Sequence, residues 1–208
     1  MKQYKAILLD FDGTLADSLD SVVEPYVLAM KAVGISFTKE DVAEALHYSI
    51  TQNLEKYRVK EADRLSLFAK VFFESFEDER NIKKVKIFAE VPSFLKKAKE
   101  NGILLGVVSG NTVPHIKKVF KIFDLIDSFS FYVGGDMIKK PKPDPESLLL
   151  AFEQMPSISK DEICYVGDSL QDVECARNAG IDGILLERHH EYPDYEGVKI
   201  STLAALFL

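Results

Sequence analysis

A short apolar run that leads directly into two carboxylates is the feature that most constrains this chain. Residues 7–15 read Ile-Leu-Leu-Asp-Phe-Asp-Gly-Thr-Leu. The apolar run predicts a buried strand, and side chains two positions apart on a strand lie on the same side. We therefore expect the carboxylates of Asp10 and Asp12 to leave the strand end close together, with Gly13 allowing a sharp turn after them.

Two acids this close are not expected to be ionised together without a counter-charge. The chemical options are a shared proton, a metal ion, or a division of labour between a nucleophile and an acid–base group. The structural alternative is a strand that ends in an ordinary Asx turn. A calcium loop of the EF-hand type is excluded, because it needs Glu at its twelfth position and the twelfth residue from Asp10 is Ser21.

Two further apolar runs end in polar residues suited to phosphate or a metal ion. Residues 103–108 lead into Ser109-Gly110-Asn111, where a hydroxyl and exposed backbone N–H groups can donate to phosphate oxygens, although an ordinary loop has the same composition. Residues 163–167 lead into Asp168, and Asp172 follows about one helical turn later. Each of these strand ends is a candidate part of one site.

A basic segment lies between these two strand ends in the sequence. Residues 139–145 read Lys-Lys-Pro-Lys-Pro-Asp-Pro. The prolines enforce an extended backbone, and Asp144 followed by Pro145 is suited to begin a helix, so an extended basic loop is the plain structural interpretation. Three lysines in a chain with a net charge of −7 do not form a basic face, and the segment therefore does not predict nucleic-acid binding.

Taken in order, these four segments resemble the four signature motifs of the haloacid dehalogenase (HAD) superfamily. Residues 10–15 are similar to the first signature, Ser109 to the hydroxyl of the second, and residues 167–169 with Asp172 to the fourth. The resemblance is to the phosphoglycolate phosphatase-like subgroup of that superfamily. It covers nearly the whole chain and is weakest between residues 36 and 84.

The basic segment resembles the third signature, whose lysine precedes the first proline. Lys140, followed by Pro141, matches that position, while Lys139 and Lys142 are competing candidates. By resemblance, the ammonium group of Lys140 neutralises the nucleophile and the incoming phosphate.

The resemblance implies a magnesium-dependent phosphatase that works through an aspartyl-phosphate. Asp10 is then the nucleophile and Asp12 the general acid and base, while Ser109 and Lys140 bind the phosphoryl oxygens. The other core residues implied to bind substrate are Gly13, Thr14, Gly110 and Asn111. The implied ligands of Mg²⁺ are Asp10, the backbone carbonyl of Asp12, Asp168 and, often through a water ligand, Asp172.

From Val85 onward helical and strand patterns alternate, which predicts an α/β fold with a doubly wound, mainly parallel sheet. The predicted elements are helices at 90–101, 113–121, 144–155 and 170–179, and strands at 103–108, 129–133, 163–167 and 182–186. An uninterrupted helical block at residues 17–82 breaks the alternation. We therefore expect a catalytic core of residues 1–16 and 83–208 with an inserted helical domain, which in the family is the small C1-type cap that closes over the active site.

The cap is expected to decide the substrate. Residues 47–53 are a polar stretch between two predicted helices, and His47 and Gln52 in this stretch are candidates for substrate contact. Lys56 and Arg58 are candidates to clamp a carboxylate or a second phosphate. The alternatives are an exposed histidine between helices and a solvated helix face. Prominent family members with this cap imply that short, acidic or sugar phosphates are the substrate class.

Composition limits the other classes of protein. The 208 residues and a hydrophobic fraction of 47% allow a large core, and no apolar run is long enough for a transmembrane helix. The N-terminus enters the first predicted strand directly, which argues against a signal peptide. The two cysteines, Cys164 and Cys175, do not have the spacing of a metal site. We therefore expect a cytoplasmic protein with reduced thiols, without nucleic-acid or membrane partners, that acts on a small phosphorylated metabolite as a monomer or small homo-oligomer.

Other activities compete with a phosphoglycolate phosphatase-like one. A β-phosphoglucomutase-like phosphoryl transfer keeps the same four signatures, so the sequence leaves it open together with pyrophosphate hydrolysis. A dehalogenase needs the nucleophile but neither a metal nor an acid–base group, so Asp12 with Asp168 argues against it. A non-catalytic binding protein is disfavoured, because no catalytic residue of the signatures is missing.

Overall fold

The structure is a computed structural model that describes residues 2–45, 50–188 and 190–207. The chain divides into two compact units, the core unit of Met1–Asp17 with Ile87–Leu208 and the helical unit of Ser18–Lys86. The chain thus leaves the core unit after residue 17 and returns at residue 87. The crossings predicted from the sequence lie after residues 16 and 82.

The order of elements follows the predicted alternation. In chain order the strands are β1 (Ala6–Leu9), β2 (Ala16–Asp17), β3 (Lys86–Ile87), β4 (Leu104–Val108), β5 (Phe131–Val133), β6 (Ile163–Gly167), β7 (Asp182–Leu186) and β8 (Lys199–Ile200). The α-helices are α1 (Leu19–Ala32), α2 (Lys39–Ala45), α3 (Ile50–Lys56), α4 (Ala62–Phe76), α5 (Glu79–Ile82), α6 (Val91–Glu100), α7 (Val113–Ile122), α8 (Glu146–Phe152) and α9 (Leu170–Ala179). Within the described ranges, none of the helices combines the length and apolar character needed to span a bilayer.

The core unit is built on a six-stranded sheet in the order β5-β4-β1-β6-β7-β8, and every neighbouring pair is parallel. From β1 the chain builds outward through β4 and β5 on one side and through β6, β7 and β8 on the other, so the order reverses at β1. All four residues of β1 are buried, as expected for a strand covered on both faces. The predicted doubly wound, mainly parallel α/β fold is therefore confirmed.

One face of this sheet packs against α8 and α9. Ala6 and Leu8 of β1 join Tyr165 of β6 in a buried cluster with residues of both helices. Close packing also fixes a glycine in β4, because a Cβ atom at Gly106 would lie 2.4 Å from the ring of Phe131. The strands that carry the predicted motifs are thus closely packed against these helices.

The helical unit has its own core of aromatic side chains. Its helices α1 and α4 pack against each other, and Tyr26 of α1 contacts Phe68 and Phe72 of α4 with ring centroids 5.8 and 5.7 Å apart. Phe37 stacks on Tyr26 with the ring centroids 5.7 Å apart. Since these rings are buried, the unit has the apolar interior expected of a separate domain.

Candidate active site

The ends of the three central strands bring the predicted motifs to one edge of the sheet. Asp10 follows β1, and its N–H donates to the carbonyl of Val166 at 2.9 Å, so Asp10 continues the pairing with β6. Ser109 follows β4, and its N–H donates to the carbonyl of Val133 at 3.0 Å. Asp168 directly follows β6. Parallel strands therefore place these residues at the carboxyl edge of the sheet, where open α/β folds bind their ligands.

The turn after Asp12 requires glycine for two reasons. Gly13 has a φ of 71°, in the left-handed region that disfavours residues with a side chain. A Cβ atom at this position would lie 1.9 Å from Asp168 Oδ2. The N–H of Gly13 donates to the carbonyl of Ala16 at 2.8 Å and closes the turn. The absence of a side chain thus lets the Asp168 carboxylate approach the loop backbone.

Three carboxylates converge beside this turn. One oxygen from each of Asp10, Asp168 and Asp172 lies within 4.8 Å of the other two. An anionic donor set made only of oxygen is the kind that hard divalent cations prefer. The residues present therefore fit a metal ion of that class.

Burial and neighbouring negative charge disfavour the ionised form of two of these carboxylates. Burial raises the pKa of Asp10 to about 7 despite the nearby ammonium group of Lys142, and the charges of Asp172 and Asp12 add to the rise. Burial and the charge of Asp10 raise the pKa of Asp168 well above its usual range. A bound cation opposes both effects, because a positive charge favours ionised carboxylates.

A buried lysine neutralises part of this negative charge. The Nζ of Lys142 lies 2.7 Å from Asp10 Oδ1 and 2.5 Å from Asp172 Oδ1, and its side chain is only 13% exposed. Burial alone would lower the pKa of Lys142, but the charges of Asp10 and Asp172 outweigh this effect and hold the pKa well above its usual range. Lys142 is therefore a permanent ammonium group in contact with the predicted nucleophile.

This geometry corrects the sequence-based choice of Lys140. The Lys140 side chain is 72% exposed, and its Nζ lies 3.6 Å from a carboxylate oxygen of Asp144. The structure therefore brings Lys142 to the cluster and leaves Lys140 on the surface. The error arose because the segment contains two overlapping Lys-Pro pairs, and only the buried partners Asp10 and Asp172 distinguish them.

The carboxylate of Asp172 binds the ammonium group of Lys142. Its Oδ1 accepts a hydrogen bond from Lys142, while its Oδ2 accepts from the N–H and hydroxyl of Ser169 at 3.1 and 2.6 Å. Burial alone would raise the pKa of Asp172, but Lys142 and Ser169 outweigh it and lower the pKa below its usual range. Because both of its oxygens accept hydrogen bonds, Asp172 is better suited to hold the lysine than to bind a metal directly.

Tyr165 is a site residue that the sequence analysis missed. Its hydroxyl lies 2.6 Å from the Nζ of Lys142 and 2.7 Å from the carbonyl of Val108, so it accepts from the lysine and can donate to the strand β4. A tyrosine inside an otherwise apolar, buried strand needs a partner for its hydroxyl, and that was the available signal. Tyr165 thereby links the lysine to β4, the strand that precedes Ser109.

The second predicted motif lies beside Asp12. The side-chain amide of Asn111 donates to Asp12 Oδ2 at 3.3 Å, and the N–H of Asn111 donates to Ser109 Oγ at 3.1 Å. Ser109 is buried and Gly110 is exposed. Thr14 is fully buried, so its side chain offers a substrate no exposed surface. Asp12, Ser109 and Asn111 thus form one connected group, in which the Thr14 side chain takes no part.

The predicted substrate-contact residues of the helical unit that the structure describes are all exposed. Gln52 lies in α3, Arg58 follows that helix, and both are exposed. Lys56 pairs with Glu44 at 3.0 Å on the surface, in agreement with a solvated helix face. His47 lies outside the described residues. Substrate contact by Gln52 and Arg58 stays a prediction.

The chain has relatives of known sequence and structure. A protein of Photorhabdus laumondii named phosphoglycolate phosphatase is 27% identical over 197 residues, which cover 92% of this chain and 84% of that protein. A protein of Clostridium perfringens that is provisionally named the pyrophosphatase PpaX is 28% identical over 182 residues, covering 85% of this chain and 80% of that protein. A crystal structure from Bacteroides fragilis, provisionally named a haloacid dehalogenase-like hydrolase, has a TM-score of 0.85 at 26% identity and covers 98% of this chain and 100% of that chain.

The family model of haloacid dehalogenase-like hydrolases matches residues 7–186. The matched range begins within β1 and ends with β7, so it contains the whole strand-end cluster as well as the helical unit. The chain therefore belongs to the haloacid dehalogenase-like hydrolase family.

Proposed function

We propose that this protein is a magnesium-dependent phosphatase that hydrolyses small phosphorylated metabolites through an aspartyl-phosphate on Asp10. The observation that carries the proposal is the contact of Asp10 with Lys142 inside a cluster of buried carboxylates. A nucleophilic carboxylate next to a fixed cation is suited to attack a phosphorus atom that carries negative charge, because the cation offsets the repulsion between the two anions.

The proposed reaction has two steps. Asp10 forms a bond to phosphorus while the bond from phosphorus to the leaving oxygen breaks, and Asp12 donates a proton to that oxygen. Asp12 then accepts a proton from water as the water oxygen attacks phosphorus, which releases inorganic phosphate and restores the Asp10 carboxylate. The half-buried position of Asp12 beside Asn111 leaves it accessible for both transfers.

The remaining residues bind the phosphoryl group. Lys142 takes the part first assigned to Lys140, and Ser109 with the exposed backbone around Gly110 supplies further donors. The ion is proposed to be held by Asp10, Asp168 and the backbone carbonyl of Asp12. When bound, Mg²⁺ supplies positive charge that offsets the charge of the phosphoryl oxygens.

The names of the relatives support the proposed substrate class. Phosphoglycolate is a small acidic phosphomonoester, and a relative of Photorhabdus laumondii carries the name of its phosphatase. Pyrophosphate is the second candidate, because the Clostridium perfringens relative is provisionally named a pyrophosphatase. We further propose that the protein works in the cytoplasm as a monomer or small homo-oligomer; the buried, free thiols of Cys164 and Cys175 support a reducing compartment.

A hydrolysis screen tests this function. Purified protein is incubated with a panel that includes phosphoglycolate, sugar phosphates, pyrophosphate and p-nitrophenyl phosphate, and released inorganic phosphate is measured. We expect turnover with Mg²⁺ or Mn²⁺, little with Ca²⁺, whose looser coordination relaxes the required geometry, and none in excess chelator. The Asp10→Asn protein, purified in parallel, controls for contaminating phosphatases. Full activity in chelator, or equal activity of the variant, would reject the proposal.

A further inference from the structure

Arg188 reaches from the end of β7 to the loop that follows Asp12. Its Nη2 donates to the carbonyl of Thr14 at 2.9 Å, and its Nε donates to the carbonyl of Gly13 at 3.3 Å. One guanidinium group therefore binds two consecutive carbonyls of the loop. The Arg188 side chain is 14% exposed, so these contacts are largely shielded from water.

Glu90 and Phe88 also contact the guanidinium group of Arg188. Its Nη1 lies 2.7 Å from Glu90 Oε1, and the Glu90 carboxylate also accepts a hydrogen bond from the hydroxyl of Thr202. The ring of Phe88 lies against the guanidinium, with its centroid 3.8 Å from the central carbon. A planar group with a charged partner and a stacked ring has a fixed orientation, which a lysine at this position would lack.

The loop depends on these contacts because its own hydrogen bonds use other carbonyls. Within the loop, the carbonyls of Phe11 and Ala16 accept the internal backbone bonds. The carbonyls that follow Asp12 are bound by Arg188. Gly13, the residue next to Asp12, is also the most flexible residue type in the unrestrained chain. The guanidinium thus restrains the backbone at the point where its freedom would otherwise be greatest.

We propose that Arg188 is a positioning residue, which fixes the backbone at Gly13 and Thr14 and thereby holds the Asp12 carboxyl in place for proton transfer. The inference rests on the proposed function, since it assigns a task within that reaction. Arg188 acts through the loop and does not touch the substrate. Proton transfer needs a short distance between heavy atoms, and a displacement of about 1 Å can reduce a rate about a hundredfold.

The first test compares Arg188→Ala with Arg177→Ala. Arg177 lies on α9, is 74% exposed and pairs with Glu174 at 2.9 Å, so its loss should leave the kinetics unchanged. For Arg188→Ala we expect kcat with p-nitrophenyl phosphate to fall between about tenfold and a hundredfold. The inhibition constant of inorganic phosphate should change less than about twofold, because the groups that bind the phosphoryl group are intact. A rise in that constant with kcat unchanged would overturn the proposal.

The second test separates positioning from general stability. Millimolar guanidinium ion should restore part of the kcat of Arg188→Ala, because it can bind between the two carbonyls and Glu90, whereas uncharged urea at the same concentration should not. In an Asp12→Asn background, Arg188→Ala should have little further effect on the burst of p-nitrophenolate. Equal proportional losses in both backgrounds would show that Arg188 does not act through Asp12.

Two further variants test the proposal if Arg188→Ala has a folding defect. If Arg188→Ala fails to fold, Arg188→Lys and Glu90→Gln are assayed in the same way, because both keep the interior filled. Both variants should lower kcat while the inhibition constant of phosphate stays unchanged. Wild-type kinetics in both would refute the inference. Failure of the proposed function gives a different result, since the unmodified protein would then lack phosphatase activity altogether.

Discussion

Replacing Lys142 by methionine removes the ammonium group between Asp10 and Asp172 while keeping an unbranched side chain. These carboxylates are only 8% and 3% exposed, so they would be left as buried charges without their cation. Loss of one partner from such a buried group costs about 3–5 kcal/mol. In a chain of this length, 1 kcal/mol changes Tm by about 2–4 °C, so K142M should melt about 6–20 °C below the wild type in metal-free buffer.

The loss in Tm should depend on pH. Burial raises the pKa of Asp10 to about 7 although Lys142 opposes the rise, so the pKa climbs further when the ammonium is removed. A carboxyl group with a raised pKa in the folded state binds its proton more tightly there than in the unfolded chain. It has no effect on stability below its unfolded pKa, and it lowers the free energy of unfolding as the pH rises from its unfolded to its folded pKa. In the wild type this loss ends near about pH 7, whereas in K142M it continues to higher pH. The Tm difference should be smallest near about pH 5 and largest near about pH 8.

K140M is the matched control for this experiment. Lys140 is 72% exposed and has a surface contact of 3.6 Å with Asp144, and such pairs contribute at most about 1 kcal/mol. Thermal melts in chelator at both pH values, followed by phosphatase assays with Mg²⁺, compare the two variants with the wild type. We expect K142M to lose stability and turnover and K140M to keep both. The reverse pattern would refute the assignment of Lys142.

Substitutions in the core and in the helical unit should have separate effects on chemistry, folding and substrate choice. Asp10→Asn should abolish turnover without loss of secondary structure by circular dichroism, because an amide is not an anionic nucleophile; more than a few per cent of wild-type activity would contradict the covalent mechanism. Gly13→Ala should abolish activity and lower the free energy of unfolding, measured with denaturant, by about 1–3 kcal/mol or more, since its Cβ would lie 1.9 Å from a carboxylate oxygen. The control is Gly34→Ala, at a position with a φ of 79° and nothing within 4 Å. This control should lose only the stability that the strained backbone conformation costs. Alanine at Gln52 or Arg58 should change kcat/KM for a natural metabolite more than for p-nitrophenyl phosphate, and equal losses on both substrates would show that these residues support folding of the helical unit.

The best-predicted part of the fold is the segment around the fourth motif. The predicted ranges 163–167, 170–179 and 182–186 coincide with β6, α9 and β7. Local signals agree there: an apolar strand run, a Ser169 hydroxyl that caps the helix, and Gly180 in the left-handed conformation at the helix end. The apolar runs also fix which residues emerge at the strand ends, which is why the acidic residues and Ser109 were predicted as one site.

Elements with weaker local signals were predicted less well. The helix predicted at 144–155 is observed at Glu146–Phe152, and the strand predicted at 129–133 is observed at Phe131–Val133, after a 3-10 turn at Ile126–Ser128. The two-residue strand β8 was not predicted, because a strand that short has no measurable periodicity. Its position depends on pairing with β7, which is a tertiary contact.

The finer features of the site depend on contacts that no local pattern encodes. Lys140 and Lys142 have the same neighbour in sequence, a proline, and they differ only in which of them reaches Asp10. Arg188 is 175 residues from Gly13, whose carbonyl it binds. Residue type and spacing thus predicted the chemistry of the strand ends, whereas the choice between equivalent side chains required the folded structure.

The central claim is that Asp10 carries the phosphoryl group during turnover. The most direct measurement uses the Asp12→Asn variant, which should hydrolyse the intermediate slowly because it lacks the group that activates water. The variant is mixed with Mg²⁺ and p-nitrophenyl phosphate, quenched in acid and digested, and its peptides are analysed by mass spectrometry. We predict a phosphoryl group on Asp10 that is absent when Asp10 is also replaced by Asn and when chelator replaces Mg²⁺. A phosphoryl group on another residue, or none in a protein whose wild type hydrolyses the same substrate, would contradict the account.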